Sequence, residues 1–195
     1  HLRIGLGELM DEARLLLQAR NGDQHAFAEL VGAHRTHVWA VCLNICSNPH
    51  DAEDALQNTL VAAWQNLHKF RGESKFSTWL HRVAANNALM VVRRRKANTT
   101  IPDFTDPDQP IQLVDDTHQS AFDDQIALRD AVRDALAQLP EDFREAVVLR
   151  EFGDLTYADI AAHQGVGVQT VKSRLNRART QLAELLRDTA AATGQ

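Results

Sequence analysis

The chain has 195 residues, enough for one or two domains, and its 44% hydrophobic and 24% charged residues are ordinary for a soluble globular protein. No apolar run approaches the roughly eighteen residues of a membrane span, and no charged segment precedes a short apolar run as in a secretory signal. We therefore expect a cytoplasmic protein without membrane insertion. The net charge of −5 taken alone disfavours nucleic acid as a partner.

The N-terminal part is predicted to be a helical bundle over residues 10–97. Residues 1–9 are expected to be a tag or an N-terminal extension without a function of its own. The apolar spacing then predicts helices from Asp11 to Arg20, Gln24 to Cys46, Asp51 to Lys69 and Ser77 to Lys96. Asn21-Gly22, Ser47-Asn48-Pro49 and Arg71-Gly72 supply the breaks between them.

The only cysteines are Cys42 and Cys46, which lie four residues apart in a helical pattern. No second cysteine pair and no histidine at zinc-ligand spacing accompanies them. Buried free thiols are the prediction, with a redox-sensing pair as the alternative. The nine histidines are scattered, so the sequence predicts neither a metal nor another cofactor.

Residues 98–123 are predicted to form an extended acidic linker. From Ala97 to Leu128 the chain has no Lys or Arg, and Pro102, Pro107 and Pro110 interrupt any helical period. The acidic residues there are Asp103, Asp106, Asp108, Asp115, Asp116, Asp123 and Asp124. Basic clusters lie on either side, at residues 93–96 and at Lys172, Arg174, Arg177 and Arg179. This distribution predicts two locally basic domains. It therefore indicates nucleic acid as a partner despite the net negative charge of the whole chain.

A second helical domain is predicted over residues 124–187, followed by a tail at 188–195. Thr156 to Arg179 has the pattern of a helix-turn-helix, with Gly165 at the turn. An apolar stripe on the second helix comprises Val171, Leu175, Ala178 and Leu182. The opposite face carries hydrogen-bonding and basic side chains, which suit a DNA major groove. The alternative is a solvated face in an ordinary bundle.

Two segments carry a family resemblance. Residues 51–88, DAEDALQNTLVAAWQNLHKFRGESKFSTWLHRVAANNA, resemble the core-binding and promoter-melting region of bacterial sigma-70 factors of the extracytoplasmic function (ECF) group. Residues 139–182, LPEDFREAVVLREFGDLTYADIAAHQGVGVQTVKSRLNRARTQL, resemble the fourth region of the same factors. The helix-turn-helix alone is shared with response-regulator output domains, whereas the two segments in this order are specific.

The resemblance implies an all-α protein of two helical domains, an alternative sigma factor that binds the beta and beta-prime subunits of core RNA polymerase and directs promoter-specific transcription initiation. Its implied partners are core polymerase, promoter DNA and an anti-sigma factor. A stand-alone helix-turn-helix regulator and an anti-sigma or adaptor protein are the alternatives. No nucleophile with a positioned base is evident, so the protein is not expected to be an enzyme.

The residues that match the family's functional positions fall into three sets. The set that would bind core polymerase is Asp51, Asp54 and Gln57. The set that would bind and melt the minus-10 element is Lys69, Phe70, Trp79, Asn86, Arg93 and Arg94, with Asn86 as the amide that captures a flipped base. The set that would bind the minus-35 element is Gln169, Thr170, Lys172, Ser173, Arg174, Asn176 and Arg177.

The chain departs from the family pattern at three positions. Asn58 replaces a Glu, Met90 replaces an Asp, and Gly167 replaces a Ser at the start of the second helix of the motif. The change at Asn58 affects one expected polar contact with polymerase, and the change at Met90 affects promoter discrimination. The acidic linker matches the segment that threads toward the polymerase active centre, where its charge would mimic that of nucleic acid.

Overall fold

The computed structural model describes residues 2–99 and 120–193, and within them the side chains of residues 11–98, 125–189 and 191. Every regular element in these ranges is helical, which confirms the predicted fold class. The helices are α1 Leu2–Arg20, α2 Gln24–Gly32, α3 Arg35–Cys46, α4 Pro49–Asn66, α5 Phe76–Thr99, α6 Ser120–Gln138, α7 Glu141–Glu151, α8 Tyr157–Gln164 and α9 Val168–Thr193. None of them has the length and the apolar composition that crossing a membrane requires.

Several helices extend beyond their predicted ends. Helix α1 begins at Leu2, α5 continues to Thr99, and α6 begins at Ser120. The predicted linker therefore has helical ends, and its residues 100–119 lie outside the described residues.

The single helix predicted from Gln24 to Cys46 is wrong, because the chain breaks after Gly32 into α2 and α3. Glycine is a poor helix former. The next turn is tighter than an α-helix, since the His34 N–H donates to the Val31 carbonyl at 3.0 Å. The result is two short helices whose apolar residues still enter one core.

Helices α1–α5 form the N-terminal bundle, in which α3, α4 and α5 pack closely on one another. The start of α4 is fixed locally, because Pro49 occupies its first turn and the Asn48 side chain accepts the Asp51 N–H at 2.9 Å. The most deeply buried large side chains include Val38, Val41 and Ile45 of α3 and Leu80 and Val92 of α5. These residues carry the apolar periodicity seen in the sequence.

Helices α6–α9 form the C-terminal bundle, and α8 and α9 form the predicted helix-turn-helix. Thr156 and Asp159 make a reciprocal capping box at the start of α8. Gly165 ends that helix with φ of +65°, a left-handed conformation that favours glycine. Val171, Leu175 and Ala178 are buried, and Leu182 packs at the edge of the core, as the sequence predicted.

The two bundles pack against each other through one continuous apolar core. Helix α3 contacts α6 and α7, and α5 contacts α7. Arg144 of α7 is the main polar link. Its guanidinium donates to the Ile45 carbonyl of α3 at 3.1 Å and to the carbonyls of Ala137 and Leu139 at 2.6 and 3.3 Å. One buried cation therefore donates to carbonyls at the C-terminal ends of both α3 and α6, where the helix dipole favours positive charge.

His81 of α5 makes a second link between the bundles. Its Nδ1 lies 2.9 Å from the carbonyl oxygen of Gly153, just after α7, so the ring donates from Nδ1. Its Nε2 is buried without a hydrogen-bond partner among the described atoms. Burial, together with the nearby His34 and His37, lowers the pKa of His81 to about 4. The interface therefore holds His81 in its neutral form.

Candidate nucleic-acid interface

The exposed face of α9 carries most of the predicted minus-35 residues. Helix α9 begins directly after Gly167, whose carbonyl accepts the N–H groups of Thr170 and Val171. Because the apolar stripe points into the C-terminal bundle, the remaining positions of the first turns are left to solvent. The exposed residues are Gln169, Thr170, Lys172, Ser173, Asn176 and Arg177. The structure thus brings six of the seven predicted residues onto one accessible surface.

Arg174 differs from its neighbours, because its side chain is only 18% exposed. Its Nη1 donates to Gln164 Oε1 at 2.7 Å, and its Nη2 donates to Asp142 Oδ2 at 2.8 Å. The guanidinium is therefore bonded to α7 and α8 within the same bundle.

The predicted minus-10 residues of α5 follow one helical face. Trp79, Asn86 and Arg93 recur at steps of seven, which is two turns of an α-helix. Arg82 lies on the same face between Trp79 and Asn86, although it is not among the residues predicted from the sequence. Its spacing of three from Trp79 and four from Asn86 was the available signal. Asn86 and Arg93 are exposed, and Trp79 is half-buried.

The loop before α5 is fixed by an aromatic cluster. The ring centroids of Phe70, Phe76 and Trp79 lie 5.6 to 5.7 Å apart. Phe70 is buried, whereas Lys69 is exposed beside it. Phe70 therefore stabilises the loop in this arrangement and offers no surface to DNA.

A cavity of about 460 Å³ lies between this loop and the C-terminal bundle. The N-terminal bundle contributes cationic and aromatic lining from Lys69, Arg71, Trp79 and Arg82, among others. Helix α8 contributes Asp159 and Ala162. The C-terminal bundle therefore forms one wall of the surface at which the sequence predicts minus-10 binding.

The basic residues at the end of α5 do not act as one cluster. Arg93 forms an ion pair with Glu141 of α7, which raises the pKa of Arg93. Arg95 donates to Asp51 of α4 at 2.6 Å. Arg94 faces α4 instead, where it lines a cavity of about 580 Å³.

That larger cavity brings together the three residues predicted to bind polymerase. Asp54 and Gln57 are exposed on α4 at its edge. Asp51 is only 15% exposed, because its carboxylate accepts bonds from Arg95 and from Asn48 at 2.7 Å. Asp51 therefore stabilises the start of α4, and Asp54 and Gln57 offer the accessible polar groups. Asn58 lines the same cavity.

The predicted free thiols are confirmed. Cys42 and Cys46 are both fully buried and unpaired. Burial raises the pKa of each thiol to about 12, which leaves little thiolate at neutral pH.

Comparison with known proteins identifies both bundles. Residues 30–98 match the model of sigma-70 region 2, and residues 129–182 match that of sigma-70 region 4. The RNA polymerase sigma-H factor of Pseudomonas aeruginosa is 32% identical over 182 residues, covering 90% of this chain and 93% of its own. The ECF sigma factor SigM of Mycobacterium tuberculosis is 35% identical over 175 residues, covering 90% and 84%.

Two solved structures share the fold over most of the chain. CnrH in complex with the cytosolic domain of CnrY has a TM-score of 0.66 at 26% identity, covering 91% of this chain and 98% of its own. The sigma factor RpoE of Bartonella quintana, in complex with the anti-sigma factor NepR, has a TM-score of 0.63 at 28% identity, covering 83% and 96%. The chain therefore belongs to the ECF group of the sigma-70 family and is an alternative sigma factor, an initiation factor that binds core RNA polymerase and directs it to promoters.

Proposed function

We propose that this sigma factor recognises the minus-35 element as duplex DNA through the exposed face of α9. The observation that carries this proposal is the division of α9 into a buried apolar stripe and an accessible face rich in donors and acceptors. Lys172 and Arg177 supply cations for phosphates or guanine edges, and Asn176 supplies an amide for adenine. A helix of this kind fits the major groove of B-DNA.

The minus-10 element is opened by capture of an unpaired base at Asn86. An amide has a fixed donor and a fixed acceptor, so it reads a Watson–Crick edge once the base has left the stack. Trp79 lies on the same helical face and Lys69 beside it, where they favour a stacked base and the phosphate backbone. Arg93 and Arg94 contact duplex phosphates upstream, and Phe70 holds the loop that presents Lys69.

Core polymerase binds to the α4 face that includes Asp54 and Gln57, with Asp51 fixing the start of that helix. Reversing the charge with Asp54→Lys should weaken core binding roughly tenfold or more, because close charge pairs at an interface are coupled by about 1.5 kcal/mol or more. The fold should persist, since Asp54 is exposed. Glu53→Lys is the matched control on the next exposed position of α4. Fluorescence anisotropy of labelled sigma with core polymerase measures both, and equal affinities for the two variants would contradict this assignment.

The protein acts in the cytoplasm, where core polymerase and the chromosome are found. It supplies binding and positioning while polymerase performs the chemistry, so it is not itself an enzyme. An anti-sigma factor is a further partner, by analogy with the RpoE–NepR complex.

Reconstitution with core polymerase tests the proposed function. A library of genomic promoter fragments should yield specific transcripts only when the chain is added, and Arg177→Ala should reduce transcription from promoters that depend on their minus-35 element. Control reactions contain core polymerase alone and the chain alone. Nanomolar, sequence-specific duplex binding by the chain without polymerase, with no added transcripts, would instead favour a stand-alone regulator.

A further inference from the structure

We propose that Arg174 is a positioning residue, which fixes the recognition helix α9 on α7 and α8 so that its neighbours meet the minus-35 bases. The inference rests on the proposed recognition of that element by α9. It assigns Arg174 a different role from the DNA contact that its place in the sequence suggests.

Arg174 links three helices. Both of its terminal nitrogens are hydrogen-bonded, one to Gln164 at the end of α8 and the other to Asp142 in the first turn of α7. A guanidinium has a planar fork that can hold two acceptors at a fixed angle. This geometry sets the orientation of α9 against both partners.

Gln164 extends this link to a buried pair of side chains, Glu145 and His163. Its Nε2 donates to the Asp142 carbonyl at 2.9 Å and to Glu145 Oε2 at 2.8 Å. Glu145 Oε1 in turn accepts a bond from His163 Nε2 at 2.7 Å, and both of these side chains are less than 10% exposed. Burial alone would raise the pKa of Glu145, but the bonds from His163 and Gln164 hold it below its ordinary value.

Arg174 differs in exposure and charge from the other predicted minus-35 residues. Lys172, Ser173, Asn176 and Arg177 are exposed, whereas Arg174 is largely covered and its charge is opposed by the carboxylate of Asp142. A cation already balanced by a carboxylate releases fewer counterions when it meets phosphate. Arg174 should therefore add little to the salt dependence of DNA binding.

The experiment uses reconstituted holoenzyme and promoter fragments with a matched or a scrambled minus-35 element. Affinity is measured across a salt series for wild type, Arg174→Ala and the exposed control Lys172→Ala. Arg174→Ala should lose roughly tenfold on the matched promoter, within the range of residues coupled in one network. It should lose little on the scrambled promoter and keep the wild-type salt slope. Lys172→Ala should weaken both fragments and reduce the slope by about one.

Two further variants separate positioning from a phosphate contact. Arg174→Lys keeps the charge but lacks the planar fork that holds the two acceptors at a fixed angle, so it should behave like Arg174→Ala; full rescue by lysine would overturn the proposal. Gln164→Met removes the bridge without touching a predicted DNA contact, and it should reproduce the Arg174→Ala defect without adding to it in the double variant. Thermal unfolding confirms that each variant is folded, and Gln164→Met provides the test if Arg174→Ala does not fold.

The outcomes distinguish this inference from the proposed function. If Arg177→Ala leaves minus-35 discrimination intact, recognition by α9 is wrong. If Arg177→Ala impairs it while Arg174→Ala lowers affinity equally on both fragments and reduces the slope, recognition stands and Arg174 is a direct phosphate contact.

Discussion

The two predicted DNA surfaces differ in how accessible they are in the isolated chain. On α9, six of the seven predicted minus-35 residues are exposed to solvent. On α5, by contrast, Arg93 is paired with Glu141, and the cavity beside Trp79 is walled by Asp159 and Ala162. Phe70, next to that cavity, is buried. The predicted surface for duplex DNA is therefore already accessible, and the predicted surface for melted DNA is partly covered by the C-terminal bundle.

This difference suggests an order of events. A duplex can meet α9 without any rearrangement, but a single strand that lies along α5 competes with α7 and α8. We therefore expect the bundles to separate when the minus-10 element binds, and the polar links between them to control how readily that occurs.

The largest expected effect comes from Arg144→Ala, which removes the link between the ends of α3 and α6. Hydrogen bonds from a charged group contribute about 1.5 to 3 kcal/mol each, so the loss of the three Arg144 bonds should lower the free energy of unfolding by about 4.5 kcal/mol or more. The bundles should also separate, making the α5 surface as accessible as that of α9. Denaturant unfolding measures the first effect, and energy transfer between dyes on Gln65→Cys and Gln181→Cys measures the second.

Arg150→Ala is the matched control for Arg144→Ala. Arg150 donates to the Leu155 carbonyl within the C-terminal bundle, so its loss should destabilise that bundle without changing the distance between the dyes. The buried native thiols should not react with the labels at neutral pH. An unchanged dye distance in Arg144→Ala would contradict the role of this residue at the interface.

A smaller effect should follow acidification, through His81. The pKa of His81 is about 4 when the two bundles are packed together and near 6.5 once the ring is solvated. The neutral form therefore stabilises the packed arrangement of the bundles above pH 6.5. That stabilisation is lost as the pH falls from 6.5 to 4, and the loss is on the order of 3 kcal/mol at pH 4. The dye distance should therefore increase between pH 6.5 and 4 in wild type.

His81→Gln separates this titration from others in the chain. Glutamine does not titrate, so the variant should show a smaller change in dye distance over the same pH range. Equal changes in wild type and variant would assign the pH response to a different group.

The smallest expected effect is that of Glu141→Gln, which frees Arg93. Exposed ion pairs are worth up to about 1 kcal/mol, so the affinity for a single-stranded minus-10 oligonucleotide should rise by no more than about fivefold. Glu53→Gln is the control, because Glu53 is exposed on α4. Anisotropy of a labelled oligonucleotide measures the change, and no difference between the two variants would mean that the Arg93–Glu141 pair does not limit access to α5.

Short-range signals predicted most of the fold. Gly165 at the turn and the apolar stripe of α9 predicted the helix-turn-helix, and the apolar periods of α4 and α5 identified their buried faces. The break after Gly32 was missed, since the apolar pattern continues across it.

The packing of the bundles could not be predicted in the same way. Arg144 and His81 bond to the backbone carbonyls of Ile45 and Gly153, which lie 99 and 72 residues away in the chain. A backbone carbonyl has no side-chain signature in a sequence. Likewise, the spacing of Arg174 gave its place on α9 but not its bonds to Asp142 and Gln164.

Transcription by mutant holoenzymes on matched promoters tests the two-surface account most directly. Templates carry the preferred or a substituted minus-10 base, each as duplex and as a premelted bubble. Arg177→Ala should impair binding to the closed promoter, whereas Asn86→Ala should bind it normally and open it poorly. The Asn86→Ala defect should persist on the premelted bubble. It should vanish when the captured base is substituted, because wild type then also lacks the base that Asn86 recognises. An equal loss of activity by Asn86→Ala on every minus-10 sequence would contradict base capture at this residue.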